Sequence, residues 1–179
     1  VPFFVSESDY PGLDRWFFTI GLALTSPIAC ILAHRFNVRF NTERTAIHEV
    51  SLWSGIGTGI ALFILAFANM YDQLFLHSLA SVSLFVGGFA WGVSINSIYT
   101  SNNTSAQKLR RAGLFSTFIG FIVMNLSLLF YGLMLMLLSE FSTDLSTLEM
   151  LNQFQPAINL AAPAEYLLII GLMITLASI

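Results

Sequence analysis

The chain has 179 residues, of which 56% are hydrophobic and 9% are charged, and its formal net charge is −3. Soluble domains carry about 25% charged residues, so this supply of charge cannot cover a water-exposed surface. The single cysteine allows no disulfide within the chain and spells out no cysteine-based metal site. Basic tracts interleaved with aromatic residues are absent from the sequence, so nucleic-acid binding has no support.

The first residues, 1–13, form a polar and weakly acidic lead-in. At its end Asp14 is placed to cap a helix, and Trp16 suits the aromatic belt of a membrane interface. Five apolar runs follow, each long enough for the roughly 20 residues that a transmembrane helix needs, and none alternates as barrel strands do. The sequence predicts an all-α polytopic transmembrane helix bundle, one domain with five spans, A to E. These spans cover about 14–34, 48–69, 74–99, 113–138 and 157–179.

The connections between the spans differ in length and charge. We expect polar loops at 35–43 and 100–111, a tight turn at 70–73, and a longer acidic connection over 139–156 with one short helix. Mid-span Pro27 is expected to kink span A.

The cations of the chain are sorted to one side of this bundle. Six of the seven Lys and Arg residues fall in the A–B and C–D connections, whereas most carboxylates fall in the lead-in, the B–C turn and the D–E connection. Because cytosolic loops are enriched in Lys and Arg, the A–B and C–D loops are predicted to be cytosolic. The lead-in and the D–E connection then face the lumen or the exterior, and we expect a further span to precede this chain.

Small residues recur on one face of two spans. Gly55 and Gly59 on span B form a small-xxx-small pair, and Gly88 and Gly92 lie on a similar face of span C. The simpler interpretation is close helix packing at these glycines. The alternative is a polar-lined cavity between spans, because the face of span C also carries His77, Ser81 and Asn96.

Two ionisable residues, His77 and Glu165, lie inside predicted spans near the side assigned to the lumen. An ionised group in a span is costly unless it is paired or hydrated, and Arg15 lies at a similar depth. These three residues form either a structural clamp between spans A, C and E or a site for a lipid headgroup or catalysis. Metal-binding, triad and phosphate-loop patterns are absent from the sequence, so no metal and no cofactor are predicted.

Several short segments resemble the DRAM/FRAG superfamily, which includes the damage-regulated autophagy modulators and the GPI-anchor lipid-remodelling factors. The segments are Pro2-Phe3-Phe4-Val5-Ser6-Glu7, Asp14-Arg15-Trp16-Phe17-Phe18-Thr19-Ile20-Gly21-Leu22, Phe67-Ala68-Asn69, Leu76-His77 and Ala164-Glu165-Tyr166. The family's fold is a six-helix bundle, and the resemblance implies that the five spans here correspond to its second to sixth helices. Tyr166 stands where the family commonly has Trp. The resemblance makes Glu7, His77 and Glu165 the positions of interest.

The resemblance implies roles in GPI-lipid maturation, phospholipid distribution or autophagy. We therefore expect a non-catalytic multi-pass protein of the endomembrane system, favouring the endoplasmic reticulum or Golgi over the lysosome or plasma membrane. It would act in lipid handling or membrane homeostasis as an accessory subunit, with membrane lipids and other membrane-protein subunits as partners. The alternative is a GPI-anchor or phospholipid-remodelling enzyme in which His77 is the base and Glu165 or Glu7 orients it.

Overall fold

The structure is a computed structural model that describes Phe4 and residues 12–40, 45–99, 104–138 and 146–178. These residues form six helices and no strand. Five of the helices are long and apolar enough to cross a membrane, so the prediction of an all-helical, multi-pass protein with five spans is confirmed. The helices are α1 (Leu13–Phe40), α2 (Ala46–Phe67), α3 (Leu74–Ile98), α4 (Thr104–Leu137), the short α5 (Thr147–Gln153) and α6 (Gln155–Ala177).

The outer surface of the bundle is apolar. Phe17, Phe75 and Phe130 are 74%, 82% and 75% exposed, and they lie on three different helices. Side chains of this size gain about 1.5–3 kcal/mol each on leaving water. Their exposure is therefore the arrangement expected of a surface that faces lipid rather than water.

The helices α1 and α2 run antiparallel, and glycines mark where they cross. A Cβ atom on Gly55 would lie 2.5 Å from the Cβ atom of Ala33, and one on Gly59 would lie 2.9 Å from the carbonyl oxygen of Ser26. The start of α2 thus meets the later part of α1, and advancing along α2 means going back along α1. The two backbones approach this closely only because glycine has no side chain.

The five long helices form two groups, α1–α2–α3 and α4–α6. Within each group the helices pack along their length, whereas α3 approaches the second group more sparingly. At that junction, Cβ atoms on Gly88 and Gly92 would lie 2.8 Å from Leu172 of α6 and 2.9 Å from Leu114 of α4. The helices α1 and α6 do not pack closely against each other within the described residues, which leaves space between the groups.

The α4–α6 interface combines small residues with hydroxyl groups. A Cβ atom on Gly120 would lie 2.5 Å from the carbonyl oxygen of Ala164, and Gly113 and Gly171 make equally close approaches. The Thr117 hydroxyl, which is 1% exposed, donates to the Gly113 carbonyl oxygen at 2.9 Å and lies 3.3 Å from the Leu168 carbonyl oxygen across the interface. Such small and hydroxyl side chains favour helix association in membranes.

Two helices are longer than the predicted spans. The structure continues α1 through Arg35 and Arg39 to Phe40, and it begins α4 at residue 104, so that Lys108 and Arg110 are helical. The 34-residue α4 is about 51 Å long at 1.5 Å per residue, which exceeds the roughly 30 Å hydrocarbon core. Polar residues that the sequence analysis placed in loops are therefore polar extensions of helices.

Hydrogen bonds from side chains to the backbone order the start of α5 and the turn between α2 and α3. Within residues 139–156, the expected short helix is α5, which begins at a reciprocal capping box between Ser146 and Glu149. Between α2 and α3, the Asn69 side-chain oxygen accepts hydrogen bonds from the backbone N–H groups of Tyr71 and Asp72, both at 2.8 Å. This local bonding explains why the chain reverses within a few residues.

Candidate functional site

A cavity of about 440 Å³ lies in the space between the two helix groups, lined by side chains of α1, α2, α3 and α6. We call it the central cavity. Its wall is mainly apolar, and its ionisable lining residues are His77 and Glu165. These two side chains are 4% and 6% exposed, so the structure brings both predicted residues to one buried location.

His77 is held by the backbone of the preceding turn. Its Nδ1 lies 2.8 Å from the carbonyl oxygen of Ala68, nine residues earlier. A carbonyl oxygen can only accept, so Nδ1 must carry the proton and donate. The contact joins the first turn of α3 to the end of α2.

Arg15 lies at the neighbouring turn. Its guanidinium Nη2 is 3.8 Å from Asp72 Oδ2, and the Asp72 carboxylate also accepts a hydrogen bond from the Asn69 side chain. Arg15 is not among the residues that line the central cavity. The structure thus places His77 and Glu165 together, and it places Arg15 beside the α2–α3 turn.

Glu7, the third residue that the family resemblance indicates, lies outside the described residues. One residue of the lead-in, Phe4, is described, and its side chain is 8% exposed. It belongs to a buried apolar cluster with Phe85 of α3 and Ile158 of α6. Phe4 therefore contributes to the bundle core close to the helices that carry His77 and Glu165.

The four glycines of the sequence analysis all lie at helix crossings. A Cβ atom on Gly55 would also lie 2.8 Å from the Trp91 ring, and one on Gly59 would overlap the sulfur of Cys30. Gly88 and Gly92 provide the approach of α3 to α6 and α4. These positions set the distances between the helices that surround the central cavity.

A second cavity, which the sequence analysis missed, has a volume of about 320 Å³. We call it the arginine cavity, because Arg35 and Arg39 line it together with apolar and aromatic side chains. The two cavities are adjacent, because three residues line both of them: Leu32, Trp91 and Leu176. The spacing of Leu32, Arg35 and Arg39 along one helix face was the available signal.

Trp91 lies where the two cavities meet. Its side chain is 2% exposed, and its Nε1–H has no hydrogen-bond partner among the described residues. An indole N–H is a donor only, and a buried donor without a partner is costly.

No family model matches this chain, and neither a curated protein nor a solved structure matches it. The relationship to the DRAM/FRAG superfamily therefore stays a prediction based on the short segments quoted above.

Proposed function

We propose that this chain is a non-catalytic multi-pass membrane protein that handles lipid by holding part of a lipid molecule in the central cavity. The observation that carries the proposal is the cavity itself. Its volume of about 440 Å³ falls within the roughly 300–1,000 Å³ of ligand pockets, and its mainly apolar wall suits a hydrocarbon chain.

The position of the cavity also favours a lipid. Ile28 and Leu32 of α1 and Met173 of α6 line it, yet they are 55%, 50% and 64% exposed. The cavity therefore opens between α1 and α6, the two helices that do not pack closely together. A molecule already dissolved in the bilayer could enter through this opening without crossing water.

His77 and Glu165 act in this proposal as a structural clamp at one end of the cavity. The hydrogen bond from His77 to the Ala68 carbonyl oxygen fixes α3 to the α2–α3 turn. Glu165 places its carboxyl group, carried by α6, in the wall of the cavity that His77 also lines. A clamp predicts that His77→Ala and Glu165→Gln lower protein abundance. A binding or catalytic site predicts normal abundance and lost lipid binding.

The alternative, a lipid-remodelling enzyme, requires His77 Nε2 to act as the base and a carboxylate to orient the ring. The Nδ1 position, through which a carboxylate orients the imidazole in catalytic triads, bonds the Ala68 carbonyl oxygen instead. This contact favours the clamp over the enzyme.

The wider setting of the proposal comes from the sequence. The family resemblance suggests an endomembrane protein of the DRAM/FRAG type that works with other membrane-protein subunits in GPI-lipid maturation, phospholipid distribution or autophagy. The charge rule suggests that the end of the bundle with Arg35, Arg39 and Arg110 faces the cytosol.

Filling the cavity tests the proposal. Ser81 lines the central cavity, so Ser81→Trp should reduce the lipid that co-purifies with the protein, measured by native mass spectrometry. Ser83→Trp is the matched control, because Ser83 is an exposed residue of the same helix. Equal lipid retention by wild type and both variants, with all three folded, would contradict lipid binding in the cavity.

Labelling tests the orientation. We expect a cysteine at Lys108 to react with an impermeant maleimide only from the cytosolic side, and a cysteine at Leu148 only from the opposite side, in a Cys30→Ser background. Both positions are exposed helical residues near opposite ends of the bundle. Reaction of both from the same side would contradict the assignment.

A further inference from the structure

The structure contains two positive charges that its own described residues do not neutralise. Arg35 and Arg39 are both exposed and line the arginine cavity, and neither forms an ion pair within the described part of the chain. They are four residues apart in α1, so their side chains lie on one helix face, where like charges repel. An anion between the two guanidinium groups would remove this repulsion.

The same location holds a polar group that requires an acceptor. The Trp91 Nε1–H is buried and without a partner among the described residues, and Trp91 lines both cavities. A ligand that crosses the junction could accept this hydrogen bond. The arginine cavity thus offers two cationic groups and one neutral donor, all suited to oxygen acceptors.

The distances along α1 match one leaflet of a bilayer. From Arg35 to Thr25, which lines the central cavity near its middle, α1 rises about 15 Å at 1.5 Å per residue. This is half of the roughly 30 Å hydrocarbon core. A lipid whose headgroup lay at Arg35 and Arg39 would therefore place its acyl chain along the central cavity.

We propose that the two cavities form one site for a phosphate-bearing glycerolipid. In this site Arg35 and Arg39 bind the phosphate, Trp91 donates to an ester carbonyl oxygen, and one acyl chain lies in the central cavity. Guanidinium groups bind phosphate through paired charge-assisted hydrogen bonds. This inference rests on the proposed lipid-handling function, and it adds the class of lipid and the end of the bundle at which the headgroup lies.

The three tryptophans allow a direct test in the full chain. Trp16 and Trp53 are 66% and 64% exposed, so both can be replaced by Phe to leave Trp91 as the only indole fluorophore. Brominated acyl chains quench tryptophan at short range. The purified protein in detergent micelles would be titrated with dibrominated phosphatidylglycerol, with dibrominated diacylglycerol, which lacks phosphate, and with inorganic phosphate as competitor.

We expect both lipids to quench Trp91 saturably, and the phosphatidylglycerol to do so at a mole fraction about tenfold lower than the diacylglycerol requires. A tenfold difference corresponds to about 1.4 kcal/mol of binding free energy. Arg35→Gln/Arg39→Gln should abolish this difference. Lys108→Gln/Arg111→Gln, which removes two exposed charges at the same end of the bundle, should preserve it. Inorganic phosphate should not displace the lipid.

A protein in which Trp53 is the only tryptophan reports the lipid around the bundle, and its quenching should not respond to the arginine substitutions. Equal quenching of Trp91 by both lipids would overturn the phosphate assignment while leaving the proposed function intact. If Lys108→Gln/Arg111→Gln abolished the difference between the two lipids as fully as the Arg35/Arg39 variant does, the phosphate assignment would also be overturned. Displacement of the lipid by inorganic phosphate would overturn the glycerolipid assignment and indicate a site for the free anion. Without saturable quenching by either lipid, and with Ser81→Trp retaining as much lipid as wild type, the proposed function itself would fail.

Discussion

The guanidinium of Arg110 donates a hydrogen bond to the carbonyl oxygen of Ser178 at 2.9 Å, which joins the first turns of α4 to the end of α6. The same side chain, 0% exposed, donates to the Tyr99 carbonyl oxygen at 2.8 Å. Tyr99 and Ser178 are the C-terminal caps of α3 and α6. Helix C-termini carry partial negative charge and unpaired carbonyl groups, so one buried cation stabilises two helix ends.

This arrangement predicts that Arg110→Ala destabilises the protein. The substitution leaves one buried and one partly buried carbonyl group without their charged donor, which should cost about 2–4 kcal/mol. Arg110→Lys should recover only part of this, because one ammonium group cannot reproduce the planar fork of donors. The measurement is unfolding in a denaturing-detergent titration. Arg111→Ala is the control, since Arg111 is exposed, and equal stability of the two alanine variants would contradict the role of Arg110.

Arg110 also shows where sequence reasoning reached its limit. The five spans could be predicted because each requires about 20 apolar residues, a signal contained within one segment. Arg110 lies in a polar segment. A charged segment beside a span has the composition of a loop whether or not the helix continues through it. Its partners lie at the ends of two other helices, 11 and 68 residues away, and no local pattern indicates them.

The residues of the candidate site also differ in whether the sequence alone indicates them. His77 and Glu165 could be selected because an ionisable group within an apolar run is unusual. Arg35, Arg39 and Trp91 were not selected, because cations and tryptophans are common at every membrane interface, and a shared helix face of Leu32, Arg35 and Arg39 does not by itself indicate a cavity. Their significance arises from the packing of α1, α3 and α6 around the two cavities, which only the tertiary structure reveals.

The α4–α6 interface predicts that Gly120→Ala is strongly destabilising. A methyl group there would lie 2.5 Å from the Ala164 carbonyl oxygen and 2.7 Å from the Leu168 backbone nitrogen, so the helix backbones themselves must separate. Overpacking of this kind costs about 1–3 kcal/mol. Gly57→Ala is the matched control, because nothing lies within 4 Å of the corresponding position. A thermal unfolding midpoint unchanged by Gly120→Ala would contradict this packing.

The capping box of α5 predicts a pH dependence outside the spans. The Ser146 hydroxyl, and then its backbone N–H, donate to the Glu149 carboxylate and hold the pKa of Glu149 below its ordinary value of 4.5. A lowered pKa in the folded state means that the stabilisation is present above the unfolded value and is lost as pH falls through the folded one. Hydrogen-exchange protection of α5 amides, corrected for intrinsic rates, should therefore fall in acid. Glu149→Gln should remove this pH dependence, and an identical acid response in that variant would contradict the assignment.

The contact between His77 and Ala68 predicts a difference between two amide substitutions. The Asn side-chain nitrogen occupies nearly the position of histidine Nδ1, whereas that of Gln lies closer to Nε2. Asn at position 77 can therefore still donate to the Ala68 carbonyl oxygen, which is 2.8 Å from Nδ1 in the structure. Leaving that buried carbonyl without a donor costs about 1–3 kcal/mol. We expect His77→Asn to keep most of the unfolding free energy and the abundance of wild type, and His77→Gln and His77→Ala to lower both. If His77→Asn is as unstable as His77→Ala, the Nδ1 contact is not what makes this residue necessary. If all three variants keep normal stability but lose bound lipid, His77 belongs to the binding site rather than to a clamp.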